Sequence, residues 1–139
     1  NLYWGETLQE VKNSGYNVKY VSYNSQYNSV TYAVYLNNPY ISGYKFDLVC
    51  LDFWNNQLMS IDIYFNALNS QEVSYTDLTS SLETRFGNSF YVKKEAIMWV
   101  GNTSSIGIYK NPTSNIIKLV ILNNDLIDKA KQDAASKGW

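Results

Sequence analysis

The stretch Tyr44-Lys45-Phe46-Asp47-Leu48-Val49-Cys50-Leu51-Asp52-Phe53-Trp54, followed by Asn55-Asn56 and then Gln57-Leu58-Met59-Ser60-Ile61-Asp62-Ile63-Tyr64-Phe65, decides the fold. Two β-rich runs flank an Asn pair, a residue type that tolerates positive φ, so the pattern is a tight hairpin. Pairing Trp54 with Gln57 and stepping outward brings Phe46 opposite Phe65. Strand side chains alternate between faces. Phe46, Leu48, Cys50, Asp52 and Trp54 then share a face with Met59, Ile61, Ile63 and Phe65, and this apolar face is the expected core. Asp47, Val49, Leu51 and Phe53 lie beside Leu58, Ser60, Asp62 and Tyr64 on the other face. That face is mixed rather than polar, so it is not an ordinary solvent face.

Outward from the hairpin, Tyr16–Tyr23 and Val30–Leu36 read as strands separated by the turn-like 24–29 segment. Upstream, Thr7 and Glu10 have capping-box spacing, Leu8 and Val11 share a face, and Gly15 suits a helix end. The second half follows the same plan. Ser74 through Asp77 resembles another helix start, with Leu78, Leu82 and Phe86 at helical spacing up to Gly87. Strand-like runs follow at Phe90–Lys93, Ala96–Val100, Ser105–Lys110 and Ile116–Leu122. A third helix begins near Asn124 and aligns Leu126, Ile127, Ala130 and Ala134. Hairpin-length loops make neighbouring strands antiparallel. The expected fold is therefore α+β: one domain over 1–139, an antiparallel meander with helices on one face and a C-terminal helix. Helix-plus-strands quasi-repeats fall at about 1–70 and 71–139.

Composition narrows the function. The chain has 139 residues, 11 Lys+Arg against 12 Asp+Glu, no His and one Cys. Folding at this length buries roughly 68% of the extended chain's surface, enough for a core without staples. Without His, the commonest general base and metal ligand is missing. The single Cys50 cannot form an internal disulfide or a thiolate zinc site, and it is expected as a buried hydrophobe. A net charge of −1 gives no broad attraction to nucleic acid, and Lys93-Lys94 is the only basic doublet. No run of 18 apolar residues exists to span a bilayer, and no glycine-rich phosphate loop or Asp-rich metal loop is present. No cofactor is implied. The chain begins at Asn1, so either a leader has been removed or it was cut from a longer chain. Charged residues make up only 17% and aromatics 16%, as 13 Tyr, 5 Phe and 4 Trp. An uncharged polar surface rich in Tyr is the expectation for an extracytoplasmic protein, periplasmic or at the cell surface.

The pattern Trp4-Gly5-x-Thr7-x-x-Glu10-Val11, followed by antiparallel strands, resembles exported α/β lipoproteins of the outer-membrane-assembly SmpA/OmlA type. The order of elements is also similar to the fold of β-lactamase inhibitor protein, whose repeats pack helices on a concave sheet. Those repeats carry disulfides and this chain has one Cys, which excludes identity with that protein. The resemblance implies an extracytoplasmic, non-catalytic module that holds a partner on an aromatic sheet face.

Two constellations could carry chemistry. Asp47 and Asp62 are expected as diagonal neighbours roughly 5–8 Å apart at Cβ, within the range of glycosidase acid–nucleophile pairs. Phe53 and Tyr64 could stack a sugar beside them, although strand Asp residues also simply mark a solvent side. The other constellation is aromatic surface. Tyr20 and Tyr35, on neighbouring strands, extend the face of Val49, Leu51, Phe53, Asp62 and Tyr64 into a partner-binding platform. The expected function is an exported binding domain for a protein or cell-envelope partner. The alternative is a carbohydrate-binding module or a carboxylate-pair glycoside hydrolase. The positions of Val49, Leu51, Phe53 and Tyr64 decide whether such a platform exists.

Overall fold

A computed structural model describes residues 2–68, 72–87, 91–93 and 96–138, without the side chains of 91 and 93. Phe90, Lys94 and the ends of the chain lie outside the described residues. Helix α1 (Leu8–Asn13) is followed by β1 (Val18–Asn24), β2 (Ser29–Val34), a small β3 (Tyr40–Ile41) and β4 (Tyr44–Lys45) hairpin, β5 (Leu48–Trp54) and β6 (Gln57–Phe65). Then come α2 (Tyr75–Phe86), β7 (Tyr91–Lys93), β8 (Ala96–Val100), β9 (Ser104–Lys110), β10 (Ile117–Asn123) and α3 (Asn124–Ser136). The main sheet has eight antiparallel strands in the order β1-β2-β5-β6-β10-β9-β8-β7. Each half of the chain is a helix followed by a meander, and the halves join through their last strands, β6 and β10. The fold is α+β.

Local chemistry explains the element boundaries. Thr7 Oγ1 accepts from Glu10 N at 3.1 Å while Glu10 Oε1 accepts from Thr7 N at 2.9 Å, which makes the expected capping box. Ser74 caps α2, whose chain leaves through Gly87 at φ 83°. Asn55 and Asn56 take φ of 50° and 56°, the left-handed pair that a two-residue hairpin loop requires.

The hairpin departs from its expected register within two pairs of the turn. Trp54 faces Gln57 and Phe53 faces Leu58, but Asp52 faces Ser60, so Met59 is an extra residue in a β-bulge. Beyond it the alternation of β5 relative to β6 is reversed. Ile61, Ile63 and Phe65 enter the core as expected, but their companions are Val49, Leu51 and Phe53 instead of Leu48, Cys50 and Asp52. Those companions are 3%, 0% and 3% exposed, so their assignment to an open platform is corrected. Val11 of α1 and Leu78 and Leu82 of α2 cover them. Burying three such side chains contributes about 2 kcal/mol each, and this fixes the face.

The third helix takes the other side. Leu126 and Ala130 pack with Met59 and Trp54 in a cluster separate from the one that holds α1 and α2. Met59, displaced by the bulge, supplies the contact. α3 sits at the Trp54–Asn123 end, and among the described residues no other helix packs on this face. No helix among the described residues is long and apolar enough to cross a membrane.

Candidate binding face

On the uncovered face, strand pairing sets side chains in a straight row. Leu48 of β5 faces Tyr64 of β6, Tyr64 faces Lys118 of β10, Lys118 faces Tyr109 of β9, and Tyr109 faces Ala96 of β8. Tyr35 lies just past the end of β2. It follows Val34, the partner of Val49, and its N–H donates to Asn17 O at 3.2 Å, so the ladder with the β1 side continues one step. Alternation puts Tyr35 on the Ala33 side. Tyr35 is 83% exposed, Tyr109 39% and Leu48 38%.

Local features hold the row in place. A Cβ on Gly107 would come within 2.9 Å of the Tyr109 ring, so that ring leans along the strand over the bare glycine. Lys118 Nζ sits 5.9 Å from the Tyr64 ring centroid and 3.6 Å from Asp62 Oδ2. Burial pushes the Tyr64 hydroxyl up. For Lys118, burial pulls the other way, but the charges of Asp62, Tyr64 and Asp52 outweigh it and raise the ammonium.

Behind the row lies a carboxylate pair. The expected partners, Asp47 and Asp62, are not brought together: Asp47 Oδ2 accepts from Ala67 N at 2.8 Å and Leu68 N at 3.0 Å and pins the turn after β6. Asp62 instead meets Asp52, which the bulge carries onto its face. Asp52 accepts from Thr31 Oγ1 at 2.5 Å and from Ser60 Oγ at 2.9 Å. Asp62 is 8% exposed. Its pKa is pushed up to about 7, first by burial and then by the Asp52 charge and a hydrogen bond with Asp52; Lys118 offsets this only in part. Cys50, next to Asp62 in the ladder, is buried, and burial raises its thiol, so it is no nucleophile. Among the described residues no three His, Cys, Asp or Glu side chains gather as metal ligands.

The candidate residues therefore separate. Asp62, Tyr64 and Tyr35 lie on the open face, while Val49, Leu51 and Phe53 lie in the core. Tyr20 is 58% exposed but belongs to the helix side, where its ring meets Tyr32 edge-on at 5.9 Å and Tyr32 meets Phe53 at 5.9 Å. Leu48, Asp52, Lys118 and Tyr109 escaped sequence reasoning. The first two moved with the bulge, and the others join the row only through the β6–β10 pairing, which no local pattern announces. Comparison with protein-family models, characterised proteins and solved structures finds no match to this chain.

Proposed function

We propose that the protein is a non-catalytic, extracytoplasmic binding domain that holds a protein or cell-envelope partner on the sheet face left open by α3. The observation that carries this reading is the row Leu48, Tyr64, Lys118 and Tyr109, paired across consecutive strands, with Leu48 and Tyr109 exposed, Tyr64 and Lys118 partly buried, and the exposed Tyr35 just past the end of β2. Tyr offers large contact area at low entropic cost, and desolvating it supplies most of the affinity at such surfaces. The Asp62–Lys118 pair beside Tyr64 provides polar groups that orient a partner. The uncharged, Tyr-, Asn- and Ser-rich composition supports the extracytoplasmic assignment.

The carboxylate-pair hydrolase fits the geometry poorly. The expected pair is not assembled: Asp47 accepts from the backbone N–H groups of Ala67 and Leu68, and Asp62 is buried behind the row. The test is affinity capture from an envelope fraction, comparing the wild type with a Tyr35→Ala/Tyr109→Ala variant of matched melting temperature. Protein and carbohydrate are both measured in the eluate. A component retained by the wild type and lost by the variant supports the proposal; identical eluates refute it.

A further inference from the structure

We infer that a second binding site lies on the helix side of the sheet, in a cavity between the first turn of α1 and the β1–β2 and β5–β6 turns, and that it takes one uncharged aromatic residue of a peptide. This site stands apart from the open face. Phe53 in its floor belongs to the core under α1 and α2, on the opposite side of the sheet from Tyr64 and Lys118. Size is the first constraint. The cavity measures about 270 Å³. One water molecule takes up roughly 30 Å³ of liquid, so the space suits a ring with a short substituent and is far too large for an ion.

The floor is apolar and aromatic. Leu8 of α1, Val30 and Tyr32 of β2 and Phe53 of β5 form it. Tyr32 meets Phe53 edge-on with centroids 5.9 Å apart, and Tyr20 meets Tyr32 in the same way at 5.9 Å. A ring arriving from outside joins an existing edge-to-face series, a gain beyond its area that an aliphatic side chain does not obtain.

The rim supplies donors. Asn28, Asn55 and Asn56 line it with φ of 51°, 50° and 56°, a backbone conformation that glycine adopts most easily. Each turn position carries an amide instead. Two of these amides are oriented by their own partners: Asn28 Oδ1 accepts from the Tyr23 hydroxyl at 2.9 Å, and Asn56 Oδ1 accepts from Leu8 N at 3.3 Å. With those oxygens engaged, the amide N–H groups are what remains to offer a ligand. Peptide carbonyls, which only accept, match them. A sugar ring matches less well, because each of its hydroxyls also brings a donor to amide oxygens that are already accepting.

Charge completes the selection. No Asp, Glu, Lys or Arg lines the cavity. Asp52, next to Phe53 in the chain, projects to the opposite face, where it accepts from Thr31 and Ser60. A charged ligand would lose hydration here without gaining a counter-charge. The aromatic residue that fits is therefore one whose amine and carboxyl are tied up in peptide bonds.

Titration of the isotope-labelled full chain with N-acetyl-phenylalaninamide, followed by amide NMR, tests this. The side-chain amide signals of Asn28, Asn55 and Asn56 are expected to shift together and to saturate with a dissociation constant in the millimolar range, appropriate to so small a ligand. N-acetyl-alaninamide, which lacks the ring, and free phenylalanine, which carries both charges, should each bind at least about fivefold more weakly. Asn28→Gly and Asn55→Gly suit the positive φ, so the turns survive, and each should weaken binding by about threefold. The Tyr35→Ala/Tyr109→Ala variant should titrate like the wild type, so this site and the open face stand or fall separately. Absence of saturable shifts at the three Asn signals, or full affinity in both glycine variants, overturns the inference. N-acetyl-alaninamide or free phenylalanine binding as tightly as the blocked aromatic residue overturns it too, as does tighter binding of N-acetylglucosamine at the same signals.

Discussion

Asp52 and Asp62 are diagonal neighbours on one sheet face, although simple alternation through the hairpin assigns them to opposite faces. The cause is the bulge at Met59, which carries Asp52 from the predicted core side onto the face of Asp62. Two neighbouring carboxyls, one of them buried, cannot both ionise without cost, and burial first and the Asp52 charge second push the Asp62 pKa up to about 7.

This pair makes stability pH-dependent in a direction opposite to most paired carboxylates. The Asp62 pKa rises from 3.8 to about 7 on folding, so the native state binds more protons than the unfolded chain between those values. The contribution is fully present below pH ~4 and is lost as pH rises towards ~7. Glu10 and Asp133, whose carboxyls are held low by hydrogen bonds from Tyr3 and Lys137, act in the opposite sense. The informative quantity is therefore a difference. Asp62→Asn should gain stability relative to the wild type as pH rises from 5 to 8, by an amount on the order of 1–3 kcal/mol. Urea unfolding at each pH measures it, and parallel curves for the two proteins would refute the raised Asp62 pKa.

Leu48 and Leu51 test the register itself. Leu51 is fully buried under α1 and α2, whereas Leu48 is 38% exposed at the row. Leu51→Ala should cost about 3 kcal/mol through lost burial and a cavity, and Leu48→Ala less than about 0.5 kcal/mol. Alternation without a bulge demands the reverse order, so denaturant midpoints of the two variants separate the alternatives.

That comparison marks where the sequence is legible. The capping box at Thr7 and Glu10, the Asn55-Asn56 turn and the helical spacing of Leu78 and Leu82 are local codes, and the structure uses each of them. Met59 carries no such code. A bulge adds one residue to a strand without changing its composition, yet it exchanges the faces of everything upstream in β5. The candidate site suffered most, because it was defined by face. Asp62 and Tyr64 kept their place only because they lie on β6, whose outer half kept its expected alternation. Lys118 and Tyr109 depend on a contact between the last strands of the two halves, a long-range choice made by packing.

Asn123 joins the sheet to the helix that shapes the open face. It ends β10 and caps α3: its Oδ1 accepts from Leu126 N at 2.9 Å, and its Nδ2 donates to Thr103 O at 3.4 Å. Asn123→Ala should cost about 1–2 kcal/mol and speed amide exchange in α3 more than in α2. Asn123→Asp retains the cap and loses only the Thr103 bond, so it should lie between. Equal exchange rates across both helices would show that the Asn123 side chain does not anchor α3.

Gly107 separates ring position from ring presence. Its backbone is ordinary strand, so alanine fits there, but the new Cβ would meet the far end of the Tyr109 ring at 2.9 Å. That end belongs to a half-exposed side chain and can swing away, so Gly107→Ala should change stability by less than about 0.5 kcal/mol. The ring would then stand off the sheet, and the component captured from the envelope fraction should be retained nearly as weakly as by Tyr109→Ala, although no aromatic group has been removed. A Gly107→Ala protein with an unchanged melting temperature and unchanged capture would mean that the ring's posture over the glycine has no part in recognition.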